Sequence, residues 1–247
     1  QHGIHVLCAV PAGVTIRECQ ELTMASRSSS AIYTMAENYI FLKECLMVEA
    51  LVAHGEMGTP YYAEGEYIHE LKTLNEQTPW RRQWQTGVNG ITYGTHSLGP
   101  ILRWMTDDRV ERVTCRGSGH WHQDPRNETY ENEASCVALC SLRSGGLVKL
   151  RVDMLSDRPH ATRNYQLQGT DGVFESSRRP EEPHKVWLRS RDRKPEQWMN
   201  LELVAEDLLP DWYQRHANLA TGAGHNGSDY FEMLHFLSCI RGETEPR

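Results

Sequence analysis

Tyr93 and His96 stand three residues apart in Tyr93-Gly94-Thr95-His96-Ser97-Leu98-Gly99-Pro100, a phenol and an imidazole where a loop turns into a helix. Both side chains can carry a proton during a reaction. Ser97 suits an N-cap, and Pro100 is tolerated within a first turn, whose N–H groups have no intrahelical acceptor. Helix is therefore expected from about Leu98 to Met105. The positive end of a helix disfavours an imidazolium, which suits a histidine placed there to accept a proton. Capping the helix or satisfying a buried carbonyl explains the same histidine equally well on this stretch alone.

Further candidates lie on either side. The run Tyr61 to His69 puts Tyr61, Ala63, Gly65, Tyr67 and His69 on one face of a strand, and Tyr62, Glu64, Glu66 and Ile68 on the other. Gly65 lets something flat approach the backbone closely, and His69 ends the strand pointing the same way. If that end faces the cleft of Tyr93 and His96, three proton-carrying groups converge; a hydrogen bond in the following loop is the simpler use of His69. Glu37-Asn38-Tyr39 follows another strand, where open α/β sheets place ligand contacts, with helix capping as the other use of Asn38. Gly222-Ala-Gly-His225-Asn226-Gly227-Ser228-Asp229 opens the last helix with N–H groups suited to an anion or a sugar hydroxyl. No nucleotide-binding fingerprint, dinucleotide or phosphate-loop, is read in this chain. His69 and His96 lack metal-ligand spacing and clustered carboxylates, and no metal is expected.

The elements that must position these groups change character along the chain. Ile4 to Cys8 reads as a strand ending in Val10-Pro11-Ala12-Gly13, and Thr15 caps a helix through about Ser26. Ala31 to Met35 reads as a second strand. Asn38 to His54 reads as a helix with Phe41, Cys45, Val48 and Val52 on one face, closed by Gly55. This alternation is that of the last part of a parallel sheet. After a polar loop over 72–92 come Val110 to Gly117, Ser135 to Leu142 and, across Ser144-Gly145-Gly146, Leu147 to Leu155. In the last of these, Val148, Leu150, Val152 and Met154 alternate with Lys149, Arg151 and Asp153, the signature of a sheet covered on one face. Asn164 to Thr170, Gly172 to Ser176 and Val186 to Arg189 extend the sheet to about six antiparallel strands. Arg178 to Trp198 reads as a solvated loop around an edge strand. A final helix from about Asn226 carries Tyr230, Met233, Leu234, Leu237 and Ile240 as its apolar stripe.

Composition narrows the partners. The 247 residues are 39% hydrophobic with a formal charge of −7, a globular balance that argues against the broad basic surface nucleic acid requires. No apolar run approaches the ~18 residues of a membrane span. Gln1-His-Gly-Ile-His5 has neither the basic nor the apolar region of a signal peptide. The seven cysteines sit mostly in apolar segments and read as reduced core residues of a cytoplasmic protein. Cys136 and Cys140 would share a strand face about 13 Å apart, which is no zinc spacing. A small molecule is the expected partner.

In order, Val10-Pro11-Ala-Gly, Ala36-Glu37-Asn38-Tyr39, Gly65-Glu-Tyr-Ile-His69, Tyr93-Gly-Thr-His96-Ser-Leu-Gly-Pro, Gln168-Gly-Thr-Asp-Gly172 and Gly224-His225 to Asp229 resemble the Gfo/Idh/MocA oxidoreductases over nearly the whole chain. Within that family the chain is most similar to the branch with NAD-dependent α-N-acetylgalactosaminidases, through Val-Pro in place of Lys-Pro and the Tyr-x-Thr-His motif. The resemblance implies an α/β (α+β) fold: the C-terminal remnant of a Rossmann domain over residues 1–58, then a substrate-binding and oligomerisation domain over 59–247 with an open, mainly antiparallel sheet. It implies NAD, or NADP, as cofactor, a sugar or polyol as substrate, and a homo-oligomer. His96, Tyr93 and His69 would be catalytic, Pro11, Glu37 and Asn38 would contact the cofactor, and Tyr67, His225 and Asp229 would bind substrate.

Two departures accompany the resemblance. The glycine-rich pyrophosphate turn, and roughly 100 residues around it, would have to precede Gln1, so the fragment alone is expected to be inactive. Ala9-Val10-Pro11 also replaces the family's Glu-Lys-Pro, which removes its lysine and throws proton transfer onto Tyr93 and His96. The activity implied for the full-length protein is hydride transfer from a sugar or polyol. Its alternatives are an NAD-recycling glycosidase, in which a transient ketone permits elimination, and a noncatalytic sugar-binding or dimerisation module.

Overall fold

Thr15 starts the first helix through a reciprocal cap: its hydroxyl accepts from Glu18 N at 3.1 Å, and Glu18 Oε2 accepts from Thr15 N at 2.9 Å. In the computed structural model, which describes residues 2–106, 108–179, 181–191 and 197–246, this helix is α1 (Ile16–Arg27). It lies between β1 (Val6–Ala9) and β2 (Tyr33–Ala36), which pair in parallel from Val6↔Tyr33 to Ala9↔Ala36, as the strand–helix–strand reading requires.

The helix expected over Asn38 to His54 is divided. Asn38–Phe41 forms a fully buried 3-10 turn, Leu42 is extended at φ −61°, ψ 140°, and α2 (Lys43–Ala53) follows. Glu37 caps the turn by accepting from Tyr39 N, so the capping role weighed for Asn38 falls to its neighbour.

An eight-stranded sheet follows, built from β3 (Pro60–Ile68), β4 (Val110–Gly117), β5 (Cys136–Leu142), β6 (Leu147–Asp153), β7 (Ala161–Gly169), β8 (Gly172–Glu175), β9 (Lys185–Leu188) and the two-residue β10 (Met199–Asn200). Its order is β10-β9-β8-β7-β3-β6-β5-β4, with every pair antiparallel except β3–β6. The six strands expected were short by two because β3 threads between β6 and β7, and β10 adds an edge. Sequence neighbours alone do not reveal such an insertion. The expected 72–92 loop is also structured, as α3 (Lys72–Gln77), α4 (Pro79–Arg81) and a π turn over Arg82–Thr86. The loop from Arg178 to Trp198 contains β9, while 180 and 192–196 lie outside the described residues.

Alternation sorts the two faces. Ala63, Val148, Val152, Leu167, Phe174 and Val186 are buried on one, together with Cys136, Ala138, Cys140 and Leu142 of β5. The other carries charged ladders such as Lys149–Glu64, 2.6 Å. Across the apolar face lies α5 (Thr95–Trp104), whose Trp104 is fully buried, donates from Nε1 to Cys45 O at 3.0 Å and meets Tyr165 and Phe174 edge-on. None of the seven cysteines is bridged.

The chain divides into two compact units, Glu44–Leu209 and the pair of segments Gln1–Lys43 with Pro210–Arg247. The first contains the sheet and ends with α6 (Leu201–Ala205). The second contains α7 (Asp211–Ala220) and α8 (Ser228–Ile240), so the terminal segment packs with the first 43 residues. The stripe expected on α8 is rotated. Phe231 and Cys239 are buried while Met233 and Leu237 are exposed, because Phe231 stacks on Tyr213 at 4.4 Å and meets Trp212 edge-on. Among the described residues no helix is long and apolar enough to cross a membrane.

Candidate active site

Gly65 decides how close α5 can come to the sheet. A Cβ at this position would lie 2.5 Å from Ser97 O and 3.1 Å from Ile101 Cδ1. The close approach read for a flat group is therefore taken by the first turns of α5 itself. The helix starts at Thr95, three residues earlier than expected, with Gly94 as its cap, so Ser97 lies inside the first turn and does not cap it. Pro100 then falls beyond that turn. A residue there would donate its N–H to the carbonyl of His96, four positions back, and proline has none to give. The hydroxyl of Tyr165 on β7 donates to that carbonyl instead, fastening the turn that carries His96 to the centre of the sheet.

The side chains of this unit converge around Tyr67, which is 6% exposed. Its ring centroid lies 5.3 Å from Tyr93, 5.5 Å from His96 and 5.7 Å from His69, and Tyr93 meets His96 edge-on at 5.2 Å. The Tyr67 hydroxyl is 3.0 Å from His69 Nδ1. His69 N donates to Asp153 O at 2.9 Å, continuing the β3–β6 ladder one step beyond the strand. Burial, reinforced by His160 and opposed by Glu70, pushes the His69 imidazole down to about 4. It is thus neutral near pH 7 and holds one donor and one acceptor nitrogen. Tyr67, His69, Tyr93 and His96, four residues singled out in the sequence, occupy one place.

His160 belongs with them and was missed. Its ring centroid is 4.0 Å from that of His69 at an interplanar angle of 85°. Only the antiparallel pairing of β3 with β7, register Ile68↔Ala161, brings it there. With that register in hand the sequence would have named it. Among the described residues no three potential ligands converge as a metal site.

The other unit gathers a second set. Pro11 follows β1 after a cis peptide bond from Val10. Glu37 and Asn38 follow β2 and are buried. Asn38 Nδ2 donates to Asp229 Oδ1 at 2.6 Å, and His225 Nδ1 lies 2.9 Å from the same oxygen. The glycine-rich segment does not stand open for an anion. A Cβ on Gly224 would collide with the Asp229 carboxylate, so this chain's own anion takes that space. Gly222, Gly224 and Gly227 have G-x-G-x-x-G spacing, yet they follow α7 and no strand, so they form no dinucleotide turn.

Glu232, unmarked in the sequence reading, lies on α8 within this set. Burial first, then Asp229 and Glu37, push its carboxyl up to about 7. Folding therefore favours its protonated form. The stabilisation is complete below the unfolded value of 4.5 and is lost as pH rises through about 7. Glu232→Gln should raise the melting temperature relative to the parent at about pH 8 and leave it unchanged at about pH 4, as scanning calorimetry would show.

Known proteins share this architecture. Residues 41–247 match the family described as glycosyl hydrolase 109, C-terminal domain. A glycosyl hydrolase family 109 protein of Saccharopolyspora erythraea is 30% identical over 261 residues, covering 98% of this chain and 55% of its own. An α-N-acetylgalactosaminidase of Shewanella oneidensis is 27% identical over 270 residues, covering 98% and 56%. The chain spans about half the length of these relatives. A levoglucosan dehydrogenase solved with NADH and L-sorbose superposes with a TM-score of 0.74 at 14% identity, over 99% of this chain and 66% of that one, a likeness of fold. The likeness to these solved structures is one of fold, a mixed α/β chain with a mostly antiparallel sheet, as the motifs led one to expect. By the match over residues 41–247, this chain belongs to glycosyl hydrolase family 109.

Proposed function

We propose that this chain forms the substrate-handling part of an NAD-dependent enzyme acting on a sugar, and that the full-length protein is a redox-neutral glycosidase of the α-N-acetylgalactosaminidase kind. The observation that carries this is the convergence of Tyr67, His69, Tyr93 and His96, two phenols and two imidazoles within ring-contact distance. Such a set can accept, hold and return protons without a metal ion. Family membership favours the glycosidase over the net dehydrogenase that the sequence put first.

We assign the roles by position. His96, fixed through its own carbonyl, takes the proton of a sugar hydroxyl, and Tyr93, edge-on to it, steadies the ring and donates to the sugar. Tyr67 binds the sugar between them, and His69, neutral at Tyr67's hydroxyl, receives or returns the second proton. Pro11, Glu37 and Asn38 would hold the nicotinamide end of the cofactor. The fit rests on Asn38, whose Oδ1 is a buried acceptor with no partner among the described residues and suits an amide N–H or a ribose hydroxyl. The nicotinamide, when bound, supplies reversible hydride transfer. His225 and Asp229, paired with each other and with Asn38, are assigned to positioning and substrate contact. The charged outer face of the sheet is assigned to a homo-oligomer contact.

The test is mass spectrometry of small molecules released on denaturing the purified full-length protein, with hydrolysis of an aryl α-N-acetylgalactosaminide assayed without added cofactor. Retained NAD(H) with hydrolysis is expected. No nicotinamide, no binding of added NAD(H) or NADP(H) and no hydrolysis would overturn the proposal and leave a noncatalytic sugar-binding module.

A further inference from the structure

His69 and His160 form a close ring contact at the site, with centroids 4.0 Å apart and planes at 85°. The two arrive by backbone design, since antiparallel pairing at Ile68↔Ala161 sets the residue entering β7 beside the residue leaving β3. His160 is exposed, whereas His69 is only partly so. An edge-to-face contact sets the electropositive edge of one ring on the electron-rich face of the other and resists rotation of either. On its other side His69 is met by the Tyr67 hydroxyl at Nδ1, and its backbone is tied to Asp153 O.

We propose that His160 is a further positioning residue of this cluster: set edge-on against His69, it fixes that imidazole against Tyr67 and keeps it an uncharged base. The proposal rests on the proton-handling reading of the cluster. A proton added to His69 would be opposed by His160 in direct ring contact. Little nearby charge relieves this. Glu70 favours the cation, but Lys72 lies 3.5 Å from Glu70 while its ammonium also bonds Asp157 at 2.6 Å. Asp153, at the end of β6, is occupied by Ser135, Ser156 and the backbone of Leu155. From α5, His96 reaches this corner through the ring of Tyr67.

The test is an NMR titration of the histidine side chains in the 247-residue chain, for the parent, His160→Phe and His160→Ala. Phenylalanine retains a ring in the same place without the ring nitrogens, and alanine removes both. The His69 midpoint is expected to rise by roughly one pH unit in both variants. Burial remains, so it should stay below 6.5. The nuclear Overhauser contact between the Tyr67 and His69 rings should persist in His160→Phe and weaken in His160→Ala. A His69 midpoint equal to the parent's in folded His160→Phe overturns the proposal, whatever becomes of the alanine variant. No sugar or cofactor enters this measurement. A failed assignment of the enzyme would leave its outcome standing, and an active enzyme with an unmoved midpoint would still sink it.

Discussion

Replacing His96 by alanine in the full-length protein should lower turnover by roughly 100- to 10,000-fold, the range for removing a general base, while sugar binding stays nearly unchanged. The imidazole is buried against the rings of Tyr67 and Tyr93, where under the proposed function a bound hydroxyl would meet it out of bulk water. The substitution is clean because the fold holds this residue by its backbone: Tyr165 bonds the carbonyl, and alanine is a good helix former. Steady-state kinetics paired with calorimetric sugar binding give the answer. A kcat equal to the parent's would remove His96 from the base role. An unchanged kcat with a raised KM would make it a binding residue instead.

Gly65→Ala is expected to cost about 1–3 kcal/mol of unfolding free energy, the range for overpacking a filled interior. The obstacle is what makes the loss large. The added methyl would meet the carbonyl of Ser97 at 2.5 Å, and a helix backbone cannot swing away as a side-chain tip can. Relief requires lifting α5 off β3, which carries Tyr93 and His96 away from Tyr67. Urea unfolding followed by circular dichroism should show the lower midpoint. Methyl or aromatic NMR shifts should change at Tyr67 and Ile101 before global unfolding. A midpoint within error of the parent's would mean that α5 has slack the geometry does not show.

These two positions also show what was legible. The chemistry of the 93–100 stretch was readable because it needs only residue types close in sequence. The start of α5 was misread because Ser97 and Pro100 both obey first-turn rules when considered locally. Those rules gave way to Tyr165, 65 positions after Pro100 in the chain, which satisfies the carbonyl that proline leaves without a donor. Gly65 was rightly marked as a place of close approach, yet nothing in β3 names the visitor. The α8 stripe was misread for a related reason. Several apolar sets at helical spacing compete along that segment, and the stacking of Tyr213 on Phe231 selects one.

By itself the sequence determined the local and periodic features. These are the Thr15–Glu18 cap, the alternation that buries one sheet face, the β5–β6 hairpin and the proton-carrying residue types in family order. Each depends on neighbours a few positions away, where backbone geometry alone fixes which groups meet. Only the tertiary structure decided that β3 lies between β6 and β7, that His160 meets His69 and that the Asp229 carboxylate takes the space beside Gly224. Those outcomes turn on strand register and side-chain packing between segments far apart in the chain. A one-residue slip in register would have presented a different set of side chains to the same place.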